Sequence, residues 1–387
     1  MTKQFSIFDD QNIAKRRKKA ERFRKITLSS LVVIALFLVF FIGDLFYKGL
    51  PGLTQTQMRV SVAFSEKTLT NERTGVSRTM RTLISRADLR RIKQITQDNP
   101  SFIGQSKDIW FIADDQVDQY LKDNPSKLKP SQIELIDEMR SNHNIKQVFN
   151  LTFFTNGDSK QPEQAGIYSS IMGTILTMIV TLAIAFPIGV ATAIYLEEFA
   201  KDNVFTRFIE ININNLAAIP SILFGILGLA IFINVLHIPR SSALVGGLTL
   251  ALMVLPIIVV STRAALKTVQ DKIKNAGYAL GLSRWQVIRD IILPNAMGGI
   301  LTGSIISLAQ AIGETAPLIM VGMVAFVPEA SYTIFEPSTV MPAQIFTWAG
   351  MPESMYIEKT ALGILTLLSI MVSLNLLAIM LRRKFQK

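Results

Sequence analysis

The stretch NAGYALGLSRWQVIRDIILP, residues 275–294, lies between two long apolar segments of the chain. Four cations lie in it or beside it, namely Lys272, Lys274, Arg284 and Arg289. Lysine and arginine gather in the short loops on the cytoplasmic side of a membrane protein. We therefore expect this stretch to lie in water on the positively charged side of a membrane.

The local chemistry of the stretch predicts two short helices with a break between them. Residues 276–280 favour a helix, and Gly281 is suited to end it in the left-handed conformation. Ser283 and Gln286 have the spacing of a capping box, and Pro294 is expected to end the second helix. Its apolar face is formed by Trp285, Ile288, Ile291 and Ile292. A short amphipathic helix pair of this kind predicts a docking surface.

The composition is that of a membrane protein. Of 387 residues, 49% are hydrophobic and only 18% are charged, which is more apolar than a soluble average. The net charge of +11 would suggest nucleic acid in a soluble protein, but here much of the surplus lies beside apolar spans. The absence of cysteine excludes disulfides, thiol catalysis and cysteine-based metal sites.

The first 47 residues combine a basic tail with an apolar span. Residues 1–25 form the tail, and residues 26–47 are long enough to cross a bilayer core of about 30 Å. Such a cationic run directly before a span is a topology signal, which we favour over nucleic-acid binding. No small-residue cleavage site follows, so we expect a retained anchor and a cytoplasmic N-terminus.

Residues 48–165 have the composition of a soluble domain, and we expect a small α+β domain on the outer, extracytoplasmic face. Strands are predicted at residues 58–62, 108–112 and 147–154, and helices from the Asp114 cap to Leu121 and at residues 131–140. A long domain crosses the membrane largely regardless of its charge, so its basic residues leave the orientation unchanged.

The remaining apolar segments complete an expected set of six transmembrane spans. They are residues 26–47, 167–196, 208–236, 243–262, 296–327 and 360–381. Basic residues at both ends of the chain indicate two cytoplasmic termini, which requires an even number of spans. The predicted fold is therefore an all-α polytopic membrane domain, residues 166–385, with a cytoplasmic loop at residues 263–295 and the α+β domain inserted after the first span.

Glu314 lies well inside a predicted span, where an ionised carboxylate is costly. Ser304, Ser307 and Gln310 precede it at helical spacing, which predicts one polar helix face. Such a face is typical of the wall of a hydrophilic path. The alternative is a protonated carboxyl group that bonds across a helix interface.

The stretch at residues 275–294 resembles the cytoplasmic "EAA" loop of ABC-transporter permeases. Five positions match the family pattern, namely Ala276, Gly281, Ile291, Leu293 and Pro294, whereas Asn275 and Gly277 replace the family Glu and second Ala. The resemblance implies docking to a separate ATPase through Asn275, Ala276, Gly277, Gly281, Leu282, Ser283 and Arg284.

Further motifs resemble the PstA-type phosphate permeases, in the form with an added N-terminal extramembrane domain. They are AFPIGV at residues 185–190, IPS at residues 219–221, LPII at residues 255–258 and GETAPL at residues 313–318. The resemblance implies a MetI-like permease core. The translocation path is expected at Glu314, Thr315, Gln310, Ser307 and Ser221. Where the family often has Arg, this chain has Gln310.

The resemblance also implies the partners. They are a second, PstC-like permease, two PstB-like ATPase subunits and a periplasmic PstS-like phosphate-binding protein. The chain contains no Gly-rich phosphate loop, so ATP and Mg²⁺ are expected on the partner ATPase, with no cofactor bound by this non-catalytic subunit. The expected location is the bacterial inner membrane. Alternatives are a permease for sulfate, molybdate or phosphonate, and a secondary transporter.

Overall fold

A computed structural model describes residues 10–385, so the first nine residues of the predicted basic tail lie outside it. The first helix, α1 (Asp10–Gly49), has 40 residues and is therefore about 60 Å long at 1.5 Å per residue. This is about twice the thickness of a bilayer core. The apolar part of α1 can thus cross a membrane while its basic part extends beyond it.

An α+β unit follows α1. Its three antiparallel strands are β1 (Thr54–Ala63), β2 (Ser106–Ile112) and β3 (Ile145–Phe149), in the order β2-β1-β3. Its helices are α2 (Glu66–Thr70), α3 (Arg86–Asp98), α4 (Asp115–Leu121), α5 (Pro130–Ser141) and α6 (Leu151–Thr155). Met58, Val60 and Val62 alternate along β1 and are buried, as a strand with one covered face requires.

The predictions for this unit are confirmed at β1, β2, α4 and α5, but the third strand was predicted too long. Strand β3 ends at Phe149, and Asn150 then caps α6 by accepting a hydrogen bond from Phe153 N at 3.0 Å. Asparagine is a strong N-cap residue because its side chain satisfies an amide that the first helical turn leaves unpaired. The apolar run therefore changes from strand to helix at Asn150.

Apolar helices make up the rest of the chain, beginning with four in sequence. They are α7 (Tyr168–Ile194), which a π-helical turn extends to Phe199, α8 (Val204–Leu216), α9 (Ser221–Gly228), which a π-helical turn extends to Val235, and α10 (Ala243–Lys267). Helix α10 is central. Its residues Leu250, Val254 and Ile258 recur every fourth position and are buried against neighbouring helices.

The helices after α10 include the docking stretch and the last spans. They are α11 (Asp271–Ala279), α12 (Arg284–Gln286), α13 (Leu293–Gly313), α14 (Ala316–Met320), α15 (Met341–Ala349) and α16 (Met355–Phe385). Within the described residues, five helices are long and apolar enough to cross a membrane, and the bent pair α8–α9 makes six if it counts as one span. The predicted number of spans agrees with that count.

Two predicted spans are not continuous helices. The segment at residues 208–236 is broken between α8 and α9, whose axes differ by 104°. The segment at residues 296–327 ends its helix at Gly313, and Glu314 has an extended backbone with ψ of 127°. In a continuous helix Pro317 would have to donate to the Gly313 carbonyl, and proline has no N–H to do so.

Candidate translocation path and docking loop

The docking stretch has the predicted short first helix, α11, and the predicted break at Gly281 before a second helix begins. Gly281 has φ of +83°, the left-handed region that glycine adopts without steric cost. Ser283 and Gln286 form the predicted capping box: Ser283 N donates to Gln286 Oε1 at 2.8 Å, and Gln286 N donates to Ser283 Oγ at 3.4 Å. Local sequence chemistry thus sets the start of the second helix.

Pro294 does not end the second helix, which corrects the prediction. The helix runs from Arg284 through a π-helical turn at Val287–Ile292 into α13 and stops only at Gly313. In the π-helical turn Leu293 N bonds to Ile288 O, five residues back, so the wider turn accommodates the proline that follows. The docking stretch is therefore continuous with the span that carries Gln310.

The exposed surface of this loop is partly apolar. Leu280 is 82% exposed and Trp285 is 56% exposed, whereas Ile288 and Ile292 are fully buried. The predicted apolar face is therefore divided, because Trp285 faces outward. Asn275 and Ala276 are exposed, while Gly277 lies beneath Val287 and Ile291. Leu282 is partly buried and Ser283 is exposed. Exposed apolar side chains beside polar ones are typical of a protein interaction surface.

The loop is fixed to the end of α7 by a cluster that was not predicted. The buried Glu198 carboxylate accepts from Lys274 Nζ at 2.7 Å. The Arg284 guanidinium donates to the Glu198 backbone carbonyl and lies 5.1 Å from the Phe199 ring centroid. Arg284, predicted to contact the ATPase, thus also holds the loop to α7. The sequence signal was the acidic pair Glu197-Glu198 at the end of the span.

A second ion cluster joins the neighbouring helices. Arg263, near the end of α10, contacts Glu210 Oε1 on α8 at 2.7 Å and Glu197 Oε2 at 3.3 Å. Their side chains are one third exposed or less, so water screens these ion pairs only in part. Together the two clusters hold α7, α8, α10 and the docking loop as one unit at this end of the transmembrane domain.

The predicted polar face of α13 is not a single surface. Ser304 and Ser307 are buried and donate to carbonyls of their own helix, Ile300 O and Gly303 O, each at 2.9 Å. Gln310 is exposed. Ser307 is therefore a packing residue in this conformation, and of the four residues of the predicted polar face that lie near the end of the span only Gln310 is exposed.

Glu314 lies beyond the end of α13 and is partly buried. Over residues 10–385 its carboxylate has no side-chain hydrogen bond or ion pair. Thr315 immediately precedes α14, and Ser221 is the first residue of α9; both are partly buried. Three of the predicted path residues thus lie at helix breaks, where a chain inside a membrane needs protein or water to satisfy its backbone.

The two broken segments pack against each other. A Cβ atom added to Gly225 of α9 would lie 2.7 Å from Pro317 Cα, at the start of α14. Only glycine permits this approach of two backbones. In membrane transporters, discontinuous helices meet where substrate is bound. The geometry therefore makes the α9–α14 contact, with Glu314 beside it, the best candidate for the path.

Two sequence families match the chain. The model described as "Binding-protein-dependent transport system inner membrane component" matches residues 185–387, and a domain of unknown function matches residues 10–82 and 70–130. The first match covers more than half of the chain. The second covers α1 and most of the α+β unit, and its description assigns no role to that region.

The chain is also similar to curated proteins. It is 32% identical over 224 residues to "Phosphate transport system permease protein PstA 1" of Mycobacterium tuberculosis (strain CDC 1551 / Oshkosh), which covers 57% of this chain and 72% of that protein. It is 28% identical over 241 residues to "Phosphate transport system permease protein PstA" of Xylella fastidiosa (strain Temecula1 / ATCC 700964), covering 60% and 81%.

Among solved structures, the MetNI methionine ABC transporter overlaps 57% of this chain and 98% of its own matched chain, with a TM-score of 0.46 and 16% identity. That overlap is too loose to compare residues. The chain belongs to the binding-protein-dependent transport system inner membrane components and is a PstA-like ABC permease, a multi-pass and non-catalytic subunit of the inner membrane.

Proposed function

We propose that this chain is the permease subunit of an ATP-driven importer of inorganic phosphate. The observation that carries the proposal is its 32% identity to a phosphate transport permease over 72% of that protein's length. Permeases for sulfate, molybdate or phosphonate are the alternative within the family. A secondary transporter is less well supported, because it would not need the exposed docking loop.

The proposed partners follow from the loop and from the family description. Leu280 and Trp285 offer apolar side chains to a cleft on a separate, PstB-like ATPase, which binds ATP and Mg²⁺. Asn275, Ala276, Leu282 and Ser283 surround them. A PstC-like permease would complete the pore, and a periplasmic PstS-like binding protein would deliver phosphate.

The proposed path passes the ends of α9 and α13, at Glu314, Thr315, Gln310 and Ser221. A carboxylate that lacks a protein partner can accept a hydrogen bond from a protonated phosphate oxygen, since hydrogen phosphate is a donor as well as an anion. A fully deprotonated phosphate or a sulfate ion has no proton to donate and would only repel the Glu314 carboxylate. Glu314 is thus proposed as a residue that senses the proton of the substrate.

The proposed coupling uses the continuous helix from Arg284 to Gly313. A continuous helix of 30 residues joins the docking surface to the residue before Glu314, over about 45 Å. Movement of the ATPase against the loop would therefore move the path residues directly. The clusters around Glu198 and Arg263 would carry the same movement to α7 and α8.

The proposed orientation has both termini in the cytoplasm and residues 48–165 in the periplasm. Cations in residues 15–25, in the docking loop and at residues 382–384 lie on one side of the spans when six segments cross the membrane. This distribution agrees with the positive-inside rule.

The experiment is uptake of labelled phosphate, with labelled sulfate in parallel, in cells that have no other phosphate importer. We expect phosphate uptake only in cells that contain the chain. This uptake should stop when ATP is depleted while the proton gradient is maintained. Sulfate uptake should be the same with and without the chain. Uptake that survives ATP depletion would support a secondary transporter. Loss of sulfate uptake instead of phosphate uptake would overturn the proposed substrate.

A further inference from the structure

A group of exposed apolar side chains lies where the α+β unit meets the first span. It consists of Phe149, Leu151, Leu50 and Tyr47, which are 60%, 62%, 50% and 81% exposed. We call these four residues the apolar lip. A soluble domain gains nothing by holding large apolar side chains in water, so a contiguous group of them marks a contact with something apolar.

The lip lies at the level where the chain leaves the first span. Phe149 pairs with Thr54 at the start of β1. Asn150 N donates to Leu53 O at 2.7 Å, and Asn150 Nδ2 donates to Gly52 O at 2.9 Å. These bonds fix Phe149 and Leu151 beside the short turn that follows α1.

The apolar lip lies where two apolar helices, α1 and α16, pack together at one end. Gly49 packs on α16, where an added Cβ would lie 2.9 Å from Leu365 Cδ1, and Gly52 packs on Leu362. Every residue from 15 to 43 of α1 is exposed, and the exposed Phe46 and Tyr47 continue the apolar surface of the span toward the lip, beside the Lys48–Asp44 ion pair. A transmembrane helix of this kind has lipid on its free surface, and the lip extends that surface.

The lip is also stiff. The Phe149 ring stacks on the Phe154 ring at 5.7 Å with an angle of 1° between the planes, and Phe154 meets the buried Phe153 edge-on at 5.0 Å. The Phe153 ring lies 6.1 Å from Trp348 of α15. Because this chain of rings is packed onto the transmembrane domain, Phe149 cannot fold inward to escape water.

We propose that the apolar lip inserts into the headgroup–acyl boundary of the leaflet on its own side of the membrane and holds the α+β unit down on the bilayer. Aromatic and aliphatic side chains prefer this zone, where an apolar body meets lipid and polar groups meet water. The unit is thereby a fixed platform on the membrane surface. This proposal needs only a membrane-embedded permease and does not depend on the substrate.

The test uses the absence of native cysteine, which allows single-site labelling of the intact chain. Phe149→Cys and Leu151→Cys are each labelled with a nitroxide in the full transporter in lipid nanodiscs. Phe40→Cys, in the middle of the span and 73% exposed, is the lipid control. Ser106→Cys is the aqueous control, because it pairs with Ala63 at the far end of β1, roughly 30 Å along the strand from Thr54.

Collision rates with oxygen, which concentrates in lipid, and with a water-soluble nickel chelate are then compared. We expect the oxygen-to-nickel ratio at both lip positions to lie well above that of Ser106→Cys and below that of Phe40→Cys, as a site at the headgroup–acyl boundary requires. A ratio equal to the aqueous control would overturn the proposal. So would low collision rates with both reagents, since they would mean that a partner protein covers the lip. Leu151→Cys keeps the test valid if loss of the Phe149 ring disturbs its stack.

Discussion

Glu358 and Glu314 are two carboxylates in membrane helices or at their ends, and their surroundings are opposite. Glu358, in the first turn of α16, is 5% exposed and accepts from Gln119 Nε2 at 2.8 Å, Asn124 Nδ2 at 2.8 Å and Lys122 Nζ at 3.1 Å. Glu314, beyond the end of α13, has no such partner in the part of the chain that the structure describes.

The two carboxylates differ in whether their charge serves structure or function. A buried carboxylate that is fully paired joins elements together, and here Glu358 joins the α+β unit to the last span. A carboxylate without partners at a helix break does not stabilise the packing of the helices. Because an unpaired carboxylate within a membrane span is energetically unfavourable, its presence indicates a role in function. Substitution of a paired charge should therefore lower stability, and substitution of Glu314 should lower transport.

The largest effect on stability is expected at Lys122, whose side chain is 6% exposed and lies 2.7 Å from Asp118 and 3.1 Å from Glu358. Lys122→Met would remove the cation that pairs directly with these two buried carboxylates, at a cost of roughly 3–5 kcal/mol. Thermal unfolding of the purified chain, with limited proteolysis of the α+β unit, measures the loss. Lys48→Met, which breaks only the exposed pair with Asp44, is the control and should change nothing measurable.

A smaller effect is expected at the cluster that holds the docking loop. Glu198→Lys places two cations together and should uncouple ATP hydrolysis from transport, and Lys274→Glu should do the same with two carboxylates. The double exchange restores the pair and should recover coupling, because contacting charges interact by about 0.5–3 kcal/mol. Measurement of phosphate transported per ATP hydrolysed tests this. An unrecovered double variant would mean that the two side chains act separately.

A pH-dependent effect is expected at Asp114, the cap of α4. Burial, and after it the charge of Asp115, raise the pKa of Asp114 to about 7. A folded pKa above the unfolded value means that the folded state binds more protons between about pH 4 and pH 7, so stability falls as pH rises through this window. Asp114→Asn keeps an N-cap residue and should flatten that slope, seen as a melting temperature that varies less with pH.

The exposed Asp98, at the end of α3, provides the matched control for this prediction. Asp98→Asn should leave the slope as in the original chain. If the dependence of the melting temperature on pH is unchanged in Asp114→Asn, the group that titrates is a neighbour of Asp114. Glu163 is the first such neighbour, since burial also raises its pKa.

Features set by a few adjacent residues could be predicted from the sequence. The stop at Gly281 and the capping box of Ser283 and Gln286 depend on atoms within four positions of one another, and both were predicted correctly. The alternation in β1 and the cap at Asp114 belong to the same class. The number of spans followed in the same way from apolar length.

The helix breaks could not be predicted, because the same residue type has different effects in different places. Pro187 and Pro256 lie inside unbroken helices, whereas breaks occur at Pro220 and just before Pro317. Tertiary packing decides which prolines accompany a break. At Pro317 the break is stabilised by a close backbone contact that Gly225 allows because it has no side chain. Contacts between residues far apart in the sequence, such as Glu198 with Lys274, could not be predicted because they also depend on tertiary packing.

The central claim is that Glu314 serves transport and not stability, and one variant tests it directly. Glu314→Gln keeps the shape of the side chain and removes its charge. We expect unchanged thermal unfolding and a loss of phosphate uptake of at least about tenfold, equivalent to about 1.4 kcal/mol. Glu329→Gln, an exposed carboxylate fifteen residues further along, is the control and should transport normally.

Labelled phosphate uptake and the melting temperature should therefore be measured together on the Glu314→Gln permease. Lost uptake with an unchanged melting temperature is the result that the account predicts. Normal uptake, or uptake lost only in proportion to a lower melting temperature, would contradict it and make Glu314 a structural residue like Glu358.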